Sequence, residues 1–390
     1  MQQPPSSPQK SDTVIVGMSG GVDSAVAALL LRDAGYSVQG LFMSNWDDDD
    51  GYCTAAEDFQ DARRVTDVLG IPLHRVSFAG EYRERVFKFF LQEYSAGRTP
   101  NPDVLCNREI KFGISLEYMQ RLGAAWIATG HYARLRRTGS DIQLLKAADL
   151  GKDQSYFLHG VPRAALAKTL FPLGDLRKVD VRRMAHAAGL PVFDKPDSTG
   201  ICFIGERPFQ QFLSSHLRTE PGPIETADGR KVGEHGGLAL YTLGQRSGLK
   251  VGGRAGAAAA PWYVADKIAA RNALIVVQDQ DHPLLLSDAF SVEQMHWIDP
   301  GEAAAAPIEC AVKTRYRQGD LPCWLHADGK RAWRVTLERA ARAVTPGQYA
   351  VFYDGERCIG GGIITQRCNS AHAPAVQGIT YNSLFSAEGS

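Results

Sequence analysis

The stretch Val14-Ile15-Val16-Gly17-Met18-Ser19-Gly20-Gly21-Val22-Asp23-Ser24 leaves this chain few folds to choose from. Val14, Ile15 and Val16 are apolar and β-branched and read as a buried strand. They run without a break into a Ser-Gly-Gly-Val-Asp-Ser turn, and from Ala25 to Ala34 the pattern is helical. Adjacent Gly20 and Gly21 let the backbone turn its N–H groups inward, while Ser19, Ser24 and the helix start add hydroxyl donors and a positive dipole end. Gly17, Met18, Ser19, Gly20, Gly21, Val22, Asp23 and Ser24 are therefore candidates for holding an oxyanion. No lysine closes the loop in the G-x-x-x-x-G-K-[ST] manner, which disfavours γ-phosphate transfer of the usual NTPase kind. A Gly-Gly turn can also be mere geometry, but here strand, serines, glycines and acid all fall in register.

The elements that follow alternate. Gly35 suits the end of the loop helix, Tyr36 to Met43 reads as a second strand, Ala55 to Leu69 as a helix, Pro72 to Phe78 as a strand and Glu81 to Tyr94 as another helix. Such alternation predicts an α/β fold with a doubly wound parallel sheet, in which Met43, at the end of its strand, neighbours a bound adenine. A further strand, Ala125 to Thr129, leads into Gly130-His131-Tyr132, where Gly130 permits close approach of a ribose or adenine and His131 fits a packed core histidine. The acidic run Asp47 to Asp50 reads better as a solvated loop than as a magnesium site.

Two loops carry thiols. Gly97 to Phe112 sets two prolines around Asn101 and places Cys106 just before a predicted helix, Glu109 to Leu122. A helix start with Arg108 and Lys111 nearby favours thiolate and nucleophilic sulfur chemistry; a small buried hydrophobe is the alternative, and the residues alone leave both open. The second loop, Asp194 to Gly205, holds Cys202 between a Gly-containing turn and an apolar anchor. Neither thiol has Cys or His at metal spacing, so no metal ligands are assigned. Seven cysteines, an odd number with no charged-then-apolar leader ahead of them, indicate a reducing compartment, and a cytoplasmic protein is expected. No run approaches the roughly 18 apolar residues that span a bilayer.

A chain of 390 residues is too long for one ordinary core. The expected division is a tail over 1–12, the nucleotide domain over 13–209, a small mixed linking domain over 210–285, a C-terminal β-barrel over 286–368 and a polar tail over 369–390. The linking domain is read from Gly-rich strands at Gly229 to Gly237, Tyr241 to Gly253, Trp262 to Val264 and Leu274 to Val277. The barrel is read from short, evenly spaced strands that begin with Cys310 to Arg317. Lys+Arg and Asp+Glu both number 43, so any nucleic-acid site must be regional. Two regions qualify: Lys152-Asp153-Gln154, after a predicted hairpin, and Lys313 to Arg317, where Arg315 and Tyr316 interleave cation and aromatic. An exposed strand face with chance arginines fits the second equally well.

Seven motifs, Ser-Gly-Gly-Val-Asp-Ser, Asn-Pro-Asp-Val-Leu-Cys-Asn-Arg-Glu-Ile-Lys-Phe, Ala-Thr-Gly-His-Tyr, Lys-Asp-Gln-Ser-Tyr-Phe-Leu, Ser-Thr-Gly-Ile-Cys-Phe-Ile-Gly, Pro-Trp-Tyr-Val and Gly-Gly-Gly-Ile-Ile, together resemble those of the bacterial tRNA-specific 2-thiouridylases. The first alone resembles the PP-loop of the ATP pyrophosphatase superfamily; the two cysteine motifs in this order are specific. The Ala-rich stretch Ala255 to Ala260 and the tails depart from the pattern. The resemblance implies a PP-loop nucleotide domain that binds ATP, with Mg2+, through Gly17 to Ser24, Met43 and Gly130. It further implies that ATP adenylates the C2 oxygen of the wobble uridine in the tRNAs for glutamate, glutamine and lysine. Sulfur then replaces that oxygen, carried on Cys202 as a persulfide received from a donor protein. By the same resemblance Cys106 is the nucleophile that pairs with Cys202 in a disulfide or acts through released hydrogen sulfide. Asp103 is a proton acceptor at the base, and Asn101, Pro102 and Asp103 contact that base. RNA contacts are implied for Lys152, Asp153, Gln154, Arg315 and Tyr316.

Overall fold

The computed structural model describes residues 8–46, 55–139, 141–197, 209–249, 251, 260–329 and 331–368. Its first strands are β1 (Thr13–Met18), β2 (Ser37–Ser44), β3 (Leu73–Ser77), β4 (Trp126–Ala128) and, beyond a hairpin of β5 (Arg134–Thr138) and β6 (Asp141–Leu145), β7 (Thr169–Leu170). Five of them form an all-parallel sheet in the order β3-β2-β1-β4-β7. Val14, Ile15 and Val16 are fully buried because both faces of this sheet are covered. Side chains alternate across it: Val14, Val16 and Met18 pack with Ala25 and Val26 of α1 (Val22–Asp33), whereas Ile15 packs with Phe112 and Met119 on the other face. Strand order reverses at β1, so the crevice beyond the carboxyl ends of β1 and β4 is the topological switch point where open α/β sheets bind ligands.

The helices follow the sequence reading in part. Gly35, at φ +88°, ends α1, and α2 (Ala55–Leu69) has the expected bounds. The expected start at Glu109 is wrong: the helical run begins at Pro102 and continues to Arg121. Asn101 caps it by accepting a hydrogen bond from the Asp103 N–H at 3.2 Å, and Pro102, stiff in sequence, is pre-organised for a first helical turn that needs no donor there. Cys106 therefore lies inside the helix rather than ahead of it.

The linking sheet contains β8 (Gly222–Thr226), β9 (Lys231–His235), β10 (Tyr263–Ile268) and β11 (Ala273–Val277), ordered β10-β11-β8-β9. The strand expected over Tyr241 to Gly253 does not form among the described residues. Gly244 and Gly248 take φ of +79° and +80°, which breaks extended pairing, while Tyr241, Leu243 and Leu249 bury themselves against Val264, Leu274 and Val276.

β12 (Leu286–Trp297), β13 (Ile308–Lys313), β14 (Leu321–Asp328), β15 (Ala332–Arg342), β16 (Tyr349–Asp354) and β17 (Arg357–Cys368) run β12-β15-β14-β13-β16-β17, and β17 pairs back onto β12 to close an antiparallel barrel. The strand expected to reach Arg317 stops at Lys313, and Arg317, at φ +62°, belongs to the turn that follows. The start of β17 also pairs with β6, Arg357 opposite Leu145 and Cys358 opposite Leu144. The β5–β6 hairpin thus continues the barrel's sheet although it lies far earlier in the chain.

Candidate functional site

β1 delivers Ser19, Gly20 and Gly21 to the switch point. At Gly20 the φ of +75° and an imagined Cβ only 2.3 Å from the Asp58 carbonyl on α2 both require glycine. Gly21 is different. It is the N-cap of α1 at an extended φ of −102°, with no side-chain cap, and a Cβ there would meet nothing nearer than Ser19 Oγ at 3.5 Å. The two serines face each other across the turn: Ser24 Oγ accepts from Ser19 N at 3.1 Å, donates to the Gly21 carbonyl at 3.1 Å and lies 3.2 Å from Ser19 Oγ. First-turn amides of a twelve-residue helix with space in front of them have the geometry of an anion site. Met43 reaches over Gly17, its Cε 3.6 Å from where a Cβ would sit. Gly130 is close to the loop itself: a Cβ would stand 2.7 Å from Asp23 C and Ser24 N, so the position is small to seat the loop. The candidate nucleotide residues therefore converge.

Asp23 anchors a charge network that local sequence did not reveal. Tyr132 donates to its Oδ1 at 2.8 Å, and Lys178 Nζ touches both its oxygens at 2.7 and 2.8 Å. The same Lys178 lies 2.7 Å from Asp197, which Lys152 and Arg182 also engage at 2.7 and 3.0 Å. Burial would raise the Asp197 carboxyl, but hydrogen bonds and charge from Lys152 and Lys178 hold it at about 2. Alongside, Lys195 Nζ reaches Asp58 at 2.7 Å, Asp61 at 2.5 Å and the Gly20 carbonyl at 3.2 Å. Burial opposes the charged lysine, yet the two carboxylates raise it above its ordinary value. A Walker loop carries its lysine within the motif; here Lys178 and Lys195 arrive from 155 and 175 residues away. Only the fold brings them.

Cys106 is buried and not disulfide-bonded, and it packs among Trp46, Tyr82, Phe90, Tyr94, Ile110 and Phe212. Its helix widens to π-helical turns from Cys106 to Ile114, the kind of local irregularity that recurs at functional sites, with Gly113 off helical geometry at φ −100°, ψ −106°. Asp103, one turn earlier, is desolvated, which raises its carboxyl above the ordinary range against the partial offset of Lys111. Cys202 and the rest of its motif lie outside the described residues, as does the acidic run Asp47 to Asp50. The residues flanking the Cys202 motif are informative. Asp197 is tied to Lys178, which holds Asp23 of the loop, and Phe209, at the other end, packs its ring 5.7 Å from Tyr94 and 6.4 Å from Phe90, in the cluster that encloses Cys106.

The regional RNA candidates split. Lys152 is engaged by Asp197, and Gln154 exchanges hydrogen bonds with the Tyr132 backbone at 2.8 and 2.9 Å. Asp153 is buried, its Oδ1 accepting from Ala147 N and Ser155 N and its Oδ2 from Ser155 Oγ. Lys313 is buried as well, 3.5 Å from Asp153 and over the Tyr353 ring. Arg315 donates to the carbonyls of Arg342 and Ala343 at 2.8 and 2.9 Å. Tyr316 packs its ring, tilted by 48°, at 4.6 Å from that of Phe157, whose carbonyl accepts from Asn107, the neighbour of Cys106. Tyr316 is thereby linked to the thiol helix. His131 is a core residue: buried, bonded to Thr129 Oγ1 at 2.7 Å, and held neutral by burial and by Lys111.

Known proteins resemble the chain over most of its length. Residues 12–206 match the profile described as a tRNA methyl transferase HUP domain, residues 210–278 a tRNA methyl transferase PRC-barrel domain and residues 287–364 an aminomethyltransferase beta-barrel domain. Among curated relatives, the tRNA-specific 2-thiouridylase MnmA of Bordetella avium is 56% identical over 367 residues, covering 91% of this chain and 98% of that protein. The protein of the same name from Methylococcus capsulatus is 54% identical over 360 residues, with 92% and 97% covered, and that of Aeromonas hydrophila is 55% identical over 357 residues, with 91% and 96% covered. At that identity over nearly the full length of both partners, the chain belongs to the family of tRNA-specific 2-thiouridylases.

Proposed function

We propose that this enzyme is an ATP-dependent sulfurtransferase that converts the wobble uridine of the tRNAs for glutamate, glutamine and lysine to 2-thiouridine in the cytoplasm. Family membership supports the reaction class, and one arrangement carries the mechanism. Of the described residues that flank the Cys202 motif in sequence, Asp197 joins the charge network around Asp23 and Phe209 packs in the aromatic cluster around Cys106. Both flanks lead toward the two chemistries the reaction needs. No helix among the described residues is long and apolar enough to cross a membrane.

ATP supplies the adenylyl group that turns the C2 oxygen of uridine into a leaving group. The Gly21 cradle and first-turn amides of α1 hold the departing pyrophosphate, and Lys178 and Lys195 provide the cations that the loop lacks. Met43 and Gly17 floor the adenine side. Among the described residues no cluster of His, Cys, Asp or Glu is arranged to hold a metal ion. Both Asp23 oxygens already meet Lys178, so a Mg2+ ion would be held chiefly by the phosphates of the nucleotide and would neutralise their charge. Asn101, Pro102 and Asp103 meet the extruded base, and Asp103, raised by its desolvation, accepts the proton. The terminal sulfur of the Cys202 persulfide, received from a donor protein, attacks C2. AMP leaves with the original oxygen, the Cys106 thiolate then attacks Cys202 Sγ and breaks its S–S bond so that the outer sulfur stays on C2 as the 2-thio group, and cellular thiols later reduce the Cys106–Cys202 disulfide.

The test uses single replacements in the full chain. Cys106→Ser and Cys202→Ser should each abolish 2-thiouridine, measured by mass spectrometry of tRNA, while ATP and tRNA binding persist. Cys202→Ser should also fail to accept labelled sulfur from a persulfide donor, and Cys106→Ser should accept it. Full thiolation by Cys202→Ser overturns the mechanism.

A further inference from the structure

Two other thiols meet in the barrel. Cys310 on β13 and Cys323 on β14 are directly opposite in the antiparallel register, and their sulfurs stand 3.6 Å apart. Opposed residues of an antiparallel pair have Cα atoms about 4.5 or 5.5 Å apart, and both spacings fall within the range disulfides occupy. Closing the gap to a bond asks for side-chain rotation, not strand movement. The two differ in access: Cys310 is half-exposed, whereas Cys323 is buried among Val312, Leu325, Val335 and Leu337.

We propose that Cys310 and Cys323 form a second, oxidisable dithiol site, separate from the sulfur-transfer cysteines, whose reactant is a low-molecular-weight disulfide. In the first step the Cys310 sulfur attacks the small disulfide, a mixed disulfide forms and one small thiol leaves with the proton. In the second, the Cys323 sulfur attacks Cys310 Sγ, the second small thiol leaves with the Cys323 proton and the protein disulfide closes. The pair is oxidised by two electrons and the small disulfide is reduced to two thiols. The order follows from the surroundings: the hydrogen bond to Cys310 and burial both push the Cys323 thiol up, so it stays protonated until the mixed disulfide lies beside it. The closed pair staples the hairpin whose connecting turn carries Arg315 and Tyr316, and oxidation stiffens that turn.

The experiment treats the full chain with a glutathione and oxidised glutathione series, blocks remaining thiols and digests without reduction. Trypsin cuts at Lys313 and Arg317, so a linked pair appears as one peptide containing Cys310 joined to one containing Cys323. This peptide should accumulate as the buffer becomes more oxidising. Amide exchange over 314–320 should slow on oxidation, and Cys323→Ser should remove that difference and leave glutathione on Cys310. Full alkylation of both thiols at the oxidising end, or a stable glutathione adduct on Cys310 in the unsubstituted chain, overturns the proposal. Neither result bears on tRNA thiolation, so its failure is distinct from failure of the proposed function.

Discussion

Replacing Gly21 by alanine separates the ligand's space from the protein's own packing. In the protein without nucleotide the new methyl group meets only Ser19 Oγ at 3.5 Å, an ordinary contact, and φ −102° suits any L-residue. The stability cost is limited to the weaker helix-capping of alanine relative to glycine, about 0.5–1 kcal/mol. A pyrophosphate seated against the turn, by contrast, must retreat from the methyl and lose one charge-assisted hydrogen bond to the N–H groups, at about 1.5–3 kcal/mol. Each 1.4 kcal/mol is tenfold in affinity, so ATP binding should weaken by about ten- to a hundredfold with the melting temperature almost unchanged. Isothermal calorimetry with ATP and a thermal melt on the same sample give both numbers. Gly130→Ala is the contrasting control: its Cβ would lie 2.7 Å from the Asp23 and Ser24 backbone, so it should lower the melting temperature even without ligand. Unchanged ATP affinity in Gly21→Ala, with folding intact, would remove the loop from the nucleotide site.

Lys178→Met should weaken ATP binding and reduce stability by about 1 kcal/mol. The depression of Asp197 from 3.8 to about 2 is worth roughly 2.5 kcal/mol at 1.36 per unit, but Lys152 shares it and a carboxylate a third exposed is screened. Because that carboxyl is lowered on folding, its contribution is present above pH 3.8 and disappears as the pH falls toward 2, so acid melts of wild type and variant should converge there. Asp103 has the opposite sign: its carboxyl is raised on folding, so its contribution is present below the unfolded value and lost as pH rises through the folded one. Asp103→Asn should thus melt higher at neutral pH while thiolation fails; a lower melting temperature there would contradict the desolvation. Arg317→Ala should lower tRNA affinity and flatten its salt slope by about one unit. Arg315→Ala should in addition lower the melting temperature, because its guanidinium stitches Arg342 and Ala343; an unchanged melt would show those bonds to be dispensable.

The strand–loop–helix turn was readable because its residues are contiguous: strand, glycines, serines and helix start follow one another within eleven residues, Val14 to Ser24. The parallel sheet was readable for a related reason, since continuous apolar runs alternate with helical periodicity. Asn101-Pro102 misled because proline both breaks helices and begins them, and only the Asn101 cap settles which. Tyr241 to Gly253 misled because buried aromatic and aliphatic side chains in turns show the composition of a strand. Lys178, Lys195 and Asp197 carry no local signal; their role exists only in the contact with Asp23 and Gly20, more than 150 residues away in sequence. Asp153 and Lys313 sit in polar stretches that look solvent-facing, but they pair with each other inside the protein.

The pairing of β6 with β17 has a consequence for synthesis. The β5–β6 hairpin leaves the ribosome roughly 200 residues before its partner, so at 5–20 residues per second the edge of β6 waits for about 10–40 s with unpaired backbone groups and the apolar Leu144 and Leu145 beside it. The nucleotide domain can complete its parallel sheet in that interval, but it cannot cover this edge by itself. An exposed strand of this kind is a template for pairing with another chain. A nascent chain stalled or truncated within the linking domain should therefore aggregate through the hairpin, and β17, the last of the described strands to be made, is the one that seals the first domain.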